Sequence, residues 1–201
     1  AAMLLGAVNI LNHLKDDFEG TIKLIFQPGE EKLPGGASVM IENGVLKDVD
    51  LIIAQHVYPD LPCGEVGFHA GEFMASCDEI NITIKGKGGH AAKIKERDNT
   101  TVAAAKILCA ISELSSEFNK EERKNPIIIA FGSFIADGTY NVIPDKVSLK
   151  GTMRTFSEDD RKSVKNKIKE ICAEVNSSFN VETHLFIEEG YPVLINDVSL
   201  A

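Results

Sequence analysis

Two adjacent glutamates, Glu30 and Glu31, close the run Phe26-Gln27-Pro28-Gly29-Glu30-Glu31, directly after the apolar residues 21–26 (TIKLIF). A carboxylate pair at the carboxyl end of a strand can share the work of a metal site, one group binding the cation while its neighbour takes a proton from the bound water. The same pair also reads as a solvated acidic loop, since carboxylates are mostly exposed wherever they occur. His56 ends a second apolar run in Ile53-Ala54-Gln55-His56-Val57. Imidazole is a frequent ligand of transition metals, and a single histidine is as readily a structural residue. Two strand ends that present ligand types at one sheet edge leave both readings open.

Further along, residues 85–92 (KGKGGHAA) place His90 behind three glycines in four positions. Glycines there permit left-handed backbone and close approach of another chain or ligand, and a plain turn with a surface histidine has the same composition. The spacing is not that of a phosphate loop, because GxxxxGK[ST] is absent. Asn141, in Asn141-Val142-Ile143-Pro144-Asp145, and Arg154, in Gly151-Thr152-Met153-Arg154, could supply an amide and a guanidinium to a carboxylate-bearing ligand. Taken alone they are a turn and a strand.

Positioning these groups falls to two differently patterned stretches. Residues 1–14 read as a helix already under way, with Ala2, Leu5, Val8, Ile10 and Leu11 apolar and no capping residue before them, so further sequence is expected upstream. Residues 21–26 and 51–54 (LIIA) are then expected as neighbouring strands of a parallel sheet, joined through a helix over 36–43. Chemistry in such sheets gathers at the carboxyl ends of the strands. From about Ser76 the period changes. Ile80, Ile82 and Ile84 alternate with polar residues, and a helix capped by Asp98 or Asn99 carries Ala103, Ile107, Ala110, Ile111, Leu114 and Phe118 on one face. Strands are expected over 126–131, over 147–155 and over 181–187. A second helix, capped by Ser157, has the stripe Val164, Ile168, Ile171, Cys172, Val175 and Phe179. The order βαββαβ is the split βαβ, or ferredoxin-like, unit, which can stand as a small domain. The fold class expected is therefore α/β: part of a parallel-sheet domain over 1–75 and 189–201, with an inserted ferredoxin-like α+β domain over 76–188.

Composition sets the outer bounds. With 21 basic against 30 acidic residues the formal charge is −9, and a surface of that sign repels phosphate backbones, which argues against nucleic acid. No run approaches the roughly 18 apolar residues of a membrane span, and the N-terminus lacks a signal-peptide pattern. Cys63, Cys77, Cys109 and Cys172 have no CxxC spacing, which speaks against a disulfide framework or a zinc cluster and for a reducing, cytoplasmic setting.

Taken in order, FQPGEE (26–31), AQHVYPDLP (54–62), FHAGEFMAS (68–76), ITIKGKGGHAA (82–92), NVIPD (141–145) and GTMRTF (151–156) resemble the successive motifs of the dinuclear metal aminoacylase and carboxypeptidase family. The likeness is to its amidohydrolase branch, with hippurate hydrolases, auxin-conjugate hydrolases and N-acetyl-diaminopimelate deacetylases. The resemblance implies hydrolysis of the amide bond of N-acyl amino acids by a metal-activated water, at a site with two divalent ions. Zinc, manganese, nickel and cobalt all suit carboxylate and imidazole ligands. Glu30 matches the general base, Glu31 and His56 match metal ligands, and His90 matches a histidine that reaches the partner subunit's site and steadies the oxyanion. Asn141 and Arg154 match substrate-binding positions. A homodimer through the 76–188 domain is implied as well. Two departures stand against full correspondence. Lys93-Ile94-Lys95-Glu96-Arg97-Asp98 replaces a Met-Pro-His type segment, and the family's upstream Cys-Gly-His-Asp ligands and its last histidine ligand have no counterpart in this sequence. On that reading the 201 residues alone are expected to be inactive. The other functions left open are a dipeptidase or carboxypeptidase of the same family and a non-catalytic dimerisation module.

Overall fold

A computed structural model describes residues 1–32, 35–93, 98–120 and 123–201. The mixed α/β chain forms two compact units, Ala1–Glu65 and Val66–Ala201.

The first unit holds two helices, α1 (Ala2–His13) and α2 (Ala37–Glu42), and neither has a buried residue. Ala1 precedes α1 without a side-chain cap, as the sequence suggested. Residues 21–26 and 51–54, expected as parallel strands, carry no strand among the described residues. Parallel strands are held by ladder bonds to neighbours and by cover on both faces. Here Ile52 and Ile53 are 62% and 85% exposed, so neither condition is met. Lys23 ties the first segment to the loop after α2: its Nζ donates to the carbonyls of Val45 (3.1 Å) and Lys47 (2.8 Å).

The second unit contains the split βαβ motif. Its order is β2 (Asp78–Lys85), α3 (Thr100–Phe118), β4 (Ile128–Ala136), β6 (Lys146–Arg154), α4 (Glu158–Phe179) and β7 (Glu182–Glu189). Two two-stranded pairs accompany it, β1 (Gly71–Met74) with β8 (Leu194–Asn196) and β3 (Gly89–His90) with β5 (Val142–Ile143). The main sheet runs β4-β6-β2-β7, antiparallel at every pairing. Ile82 sits opposite Leu149 on one side and Leu185 on the other. Period-two patterning puts Ile80, Ile82, Ile84, Val147, Leu149 and Met153 on one face, all fully buried under the two helices.

Each helix presents its apolar stripe to that face and is started by the residue type such starts favour. Asn99 caps α3 by accepting from Val102 N–H at 3.2 Å, and the stripe Ala103, Ile107, Ile111, Leu114 is buried. Ser157 caps α4 by accepting from Asp160 N–H at 3.2 Å, with Glu158, Asp159 and Asp160 in the first turn, where the helix dipole favours negative charge. Helix α4 ends at Asn180 in the left-handed region, a residue that tolerates it.

Polar residues close the base of this unit. The Asp78 side chain is wholly buried and accepts from Arg161 Nη2 (2.5 Å) and Nε (2.8 Å) and from Gly190 N–H (3.1 Å), while Lys165 Nζ stands 3.3 Å away. Burial alone would push its carboxyl up. The Arg161 hydrogen bonds, the Gly190 N–H and the charges of Arg161 and Lys165 outweigh it and hold the group below the usual carboxylate range. Asp78 opens the first strand of the sheet and Gly190 follows the last, so this ion cluster fastens the entering and leaving chain to α4.

Candidate functional site

The candidate residues fall in both units, Glu30, Glu31 and His56 in the first and His90, Asn141 and Arg154 in the second.

In the first unit Glu30 and Glu31 lie exposed in a turn, and Lys32 N–H bonds to Gly29 O at 3.4 Å. Gly36, at the start of α2, lets that loop approach closely, since a Cβ there would overlap the Pro28 carbonyl oxygen. His56 is exposed, and its Nδ1 lies 2.6 Å from Val57 O. A carbonyl only accepts, so Nδ1 carries the hydrogen in this contact, and in a neutral ring the lone pair then falls on Nε2. That is the tautomer a histidine needs to bind a cation through Nε2.

Among the described residues no group of three His, Cys, Asp or Glu side chains converges where an ion could sit. Glu31 and His56 have the donor chemistry of a divalent-metal centre but number two, against the four positions of a tetrahedral site. The residues described here therefore do not complete such a centre.

In the second unit the chain brings together two residues that lie 51 positions apart in sequence. Strand β3 pairs with β5 so that His90 faces Val142 and Gly89 faces Ile143, and Ala91 N–H donates to Asn141 O at 2.7 Å. The Asn141 carboxamide consequently stands 3.5 Å from His90 Nε2. Gly88 makes the pairing possible, because a Cβ there would sit 2.5 Å from Ile143 O and 2.6 Å from Asp145 N. The base of the tip is pinned by Thr100, a fully buried residue whose hydroxyl donates to Pro144 O at 2.5 Å. Asp98 accepts from Lys87 N–H at 2.7 Å and from Asn180 Nδ2 at 2.9 Å, and these bonds, the Lys87 N–H first, lower its carboxyl below the usual range. His90 and Asn141 themselves are exposed.

Arg154 does not join them. It closes β6 opposite Ile128, whereas β5 leads into the other end of that strand at Lys146. Eight residue steps at roughly 3.3 Å each separate the two ends by about 26 Å. Of the segment Lys93-Ile94-Lys95-Glu96-Arg97-Asp98, residues 94–97 lie outside the described residues. The pattern of the sequence missed the two-residue strands β3 and β5, the Thr100 anchor and Thr139, whose Oγ1 lies 3.4 Å from Asn141 Oδ1. Two-residue strands have no periodicity to detect. The one available signal was Gly88 and Gly89 in front of a histidine.

Residues 1–201 match the model of Peptidase family M20/M25/M40. The chain is 32% identical over 195 residues to an N-acyl-L-amino acid amidohydrolase of Geobacillus stearothermophilus, a match that covers 97% of this chain and 52% of that protein. It superposes on the crystal structure of a candidate aminohydrolase from methicillin-resistant Staphylococcus aureus with a TM-score of 0.89 at 29% identity, over 98% of this chain and 52% of the other. A Bacillus subtilis protein described as a dinuclear metal-binding peptidase of the M20 family aligns with a TM-score of 0.73 at 30% identity, over 98% and 48% respectively. The chain spans about half the length of the curated relatives it matches. Among the described residues no helix is long and apolar enough to cross a membrane.

Proposed function

Because the chain belongs to peptidase family M20/M25/M40, we propose that it supplies the general base, two metal ligands and the lid of a hydrolase that cleaves the amide bond of N-acyl amino acids. The observation that carries this reading within the chain is the juxtaposition of His90 and Asn141 at an exposed tip, where an imidazole and a carboxamide meet. The likeness to an N-acyl-L-amino acid amidohydrolase supports the substrate class.

In this reading Glu30 would take the proton of the attacking water, and Glu31 and His56 would be ligands of the divalent ions, zinc, manganese, nickel or cobalt, which when bound would supply a more acidic water. His90 donates to the oxyanion, where a preorganised donor acts on charge that develops only in the transition state. Asn141 and Arg154 contact the substrate, the guanidinium suiting its carboxylate. Residues 1–75 and 189–201 belong to the catalytic domain and 76–188 to the lid. Because Arg154 and the His90–Asn141 tip occupy opposite ends of β6, a single bound amino acid meets both most simply in a homodimer formed through the lid, one protomer supplying the tip. A cytoplasmic setting suits the four free thiols.

In an active preparation with the full ligand set, Glu30→Gln keeps its metal and loses about two to four orders of magnitude in turnover. Glu31→Gln instead loses metal. Metal analysis beside release of free amino acid from N-acetyl substrates checks both, and metal loss confined to Glu30→Gln reverses the two roles. A dipeptidase, the second reading, is favoured by the B. subtilis protein's description as a peptidase. It would cleave substrates with a free amine in preference to acylated ones.

A further inference from the structure

The contacts around His90 do not admit every assignment of hydrogens. Ala92 N–H points at His90 Nδ1 at 3.2 Å, and Asn141 Nδ2 stands 3.5 Å from His90 Nε2. Taken together these are two N–H donors aimed at the two nitrogens of one ring. A neutral imidazole has one acceptor nitrogen, and an imidazolium has none. One of the two donors must therefore give way. The main-chain N–H of Ala92 cannot become an acceptor, whereas a carboxamide does so by a half-turn that exchanges Oδ1 and Nδ2. With Nδ1 occupied as acceptor, Nε2 carries the proton and requires an acceptor, and Asn141 Oδ1 is the atom in place to be one.

The half-turn has a second consequence. Thr139 Oγ1 lies 3.4 Å from the other end of the Asn141 carboxamide. A hydroxyl both donates and accepts, so Thr139 is satisfied whichever atom faces it. After the turn it accepts from Asn141 Nδ2. Thr139 is itself held by the bridge to Val142, Thr139 N–H to Val142 O at 3.2 Å and Val142 N–H to Thr139 O at 3.3 Å, next to the Val142–His90 pairing of β5 and β3.

We propose that Ala92 N–H, His90, Asn141 and Thr139 form one directed hydrogen-bond chain that fixes His90 in its Nε2–H tautomer, with Thr139 as a positioning residue two bonds from the ring. The order is Ala92 N–H to Nδ1, Nε2–H to Asn141 Oδ1, and Asn141 Nδ2–H to Thr139 Oγ1. The inference deepens the reading above and rests on it only where it says what the donor is for. An oxyanion that arrives at Nε2 takes the place of Asn141 Oδ1 on a hydrogen that Nε2 already carries. No proton has to move and no ring has to flip.

Nitrogen-15 NMR of the 201-residue chain tests the hydrogen-bond chain without any activity measurement. The work is done at a pH where imidazole is neutral, with His90 assigned by comparison with His90→Gln. The expected result is an unprotonated Nδ1 with a through-bond N–N coupling to Ala92 N, and no such coupling between Asn141 Nδ2 and Nε2. Thr139→Val should shift the His90 Nε2 and Asn141 carboxamide resonances, and Thr139→Ser should restore them. A coupling from Asn141 Nδ2 to Nε2, a protonated Nδ1, or a Thr139→Val spectrum that matches wild type at these nuclei overturns the proposal. In active enzyme Thr139→Val lowers kcat about threefold to tenfold at unchanged KM, the scale of one neutral hydrogen bond, and Thr139→Ser recovers it. If the NMR result holds while His90→Ala keeps full kcat, the hydrogen-bond chain stands and the oxyanion reading is the one that fails.

Discussion

Ala1–Glu65 and Val66–Ala201 are both rich in apolar residues and use them in opposite ways. Among the described residues every buried position lies in the second unit, from Ser76 to Val181. In the first, Ile10, Ile53 and Val57 are 63%, 85% and 67% exposed. Apolar content is thus not what makes a core. Burial needs a second layer whose period matches the first, and the split βαβ unit carries both layers in one continuous stretch, four strands and two helices with stripes of the right pitch. The glutamates and His56 lie in the unit without a core. His90 and Asn141 lie on a tip fastened to the unit that has one.

Limited proteolysis should show the largest contrast. Residues 1–65 are digested first, and a fragment that starts between residues 66 and 76 resists, because cleavage tracks local opening and the first unit has little buried surface to oppose it. Equal digestion of both regions would erase the comparison. Next in size is the ion cluster: Arg161→Ala removes the main partner of a buried carboxylate and should cost about 3–5 kcal/mol in urea unfolding of the second unit. The sign of its pH dependence follows from Asp78. Its folded pKa lies below the ordinary value of 3.8, so its stabilisation is complete above that value and is lost as pH falls through the folded pKa. Unfolding midpoints that do not drop on acidification in that window would contradict the assignment.

His90→Ala sharpens the comparison by separating chemistry from stability. It should lower kcat of an active preparation by about two to three orders of magnitude, the effect of losing one oxyanion donor, with metal content and unfolding midpoint unchanged. A fall in metal content would move His90 among the ligands. Asn99→Ala is the smallest test. Losing the α3 cap should cost about 1 kcal/mol, read as a shift in the urea midpoint of the second unit with no change in the digestion of the first.

The sequence made the split βαβ unit legible because its long strands and its two helices state their own period. Ile80, Ile82 and Ile84 alternate, Ala103, Ile107 and Ile111 step by four, and Ser157 and Asn99 announce helix starts. The same rules, applied to residues 21–26 and 51–54, predict strands that are absent here, because an apolar run says that a segment can be a strand and not that a neighbour is present to pair with it. Among the site residues, the types at Glu30, Glu31, His56 and His90 marked them as candidates, and the order of motifs placed the chain in its family. Proximity was decided elsewhere. That His90 meets Asn141 depends on a two-residue pairing made possible at Gly88, and that Arg154 lies at the far end of β6 from the segment that leads out of β5 depends on the length of that strand. Residue types and local periods follow from the chain itself, since they depend on neighbours within a few positions. Which side chains come together across 51 residues depends on sheet register and on which backbones can approach closely, and those are properties of the folded whole.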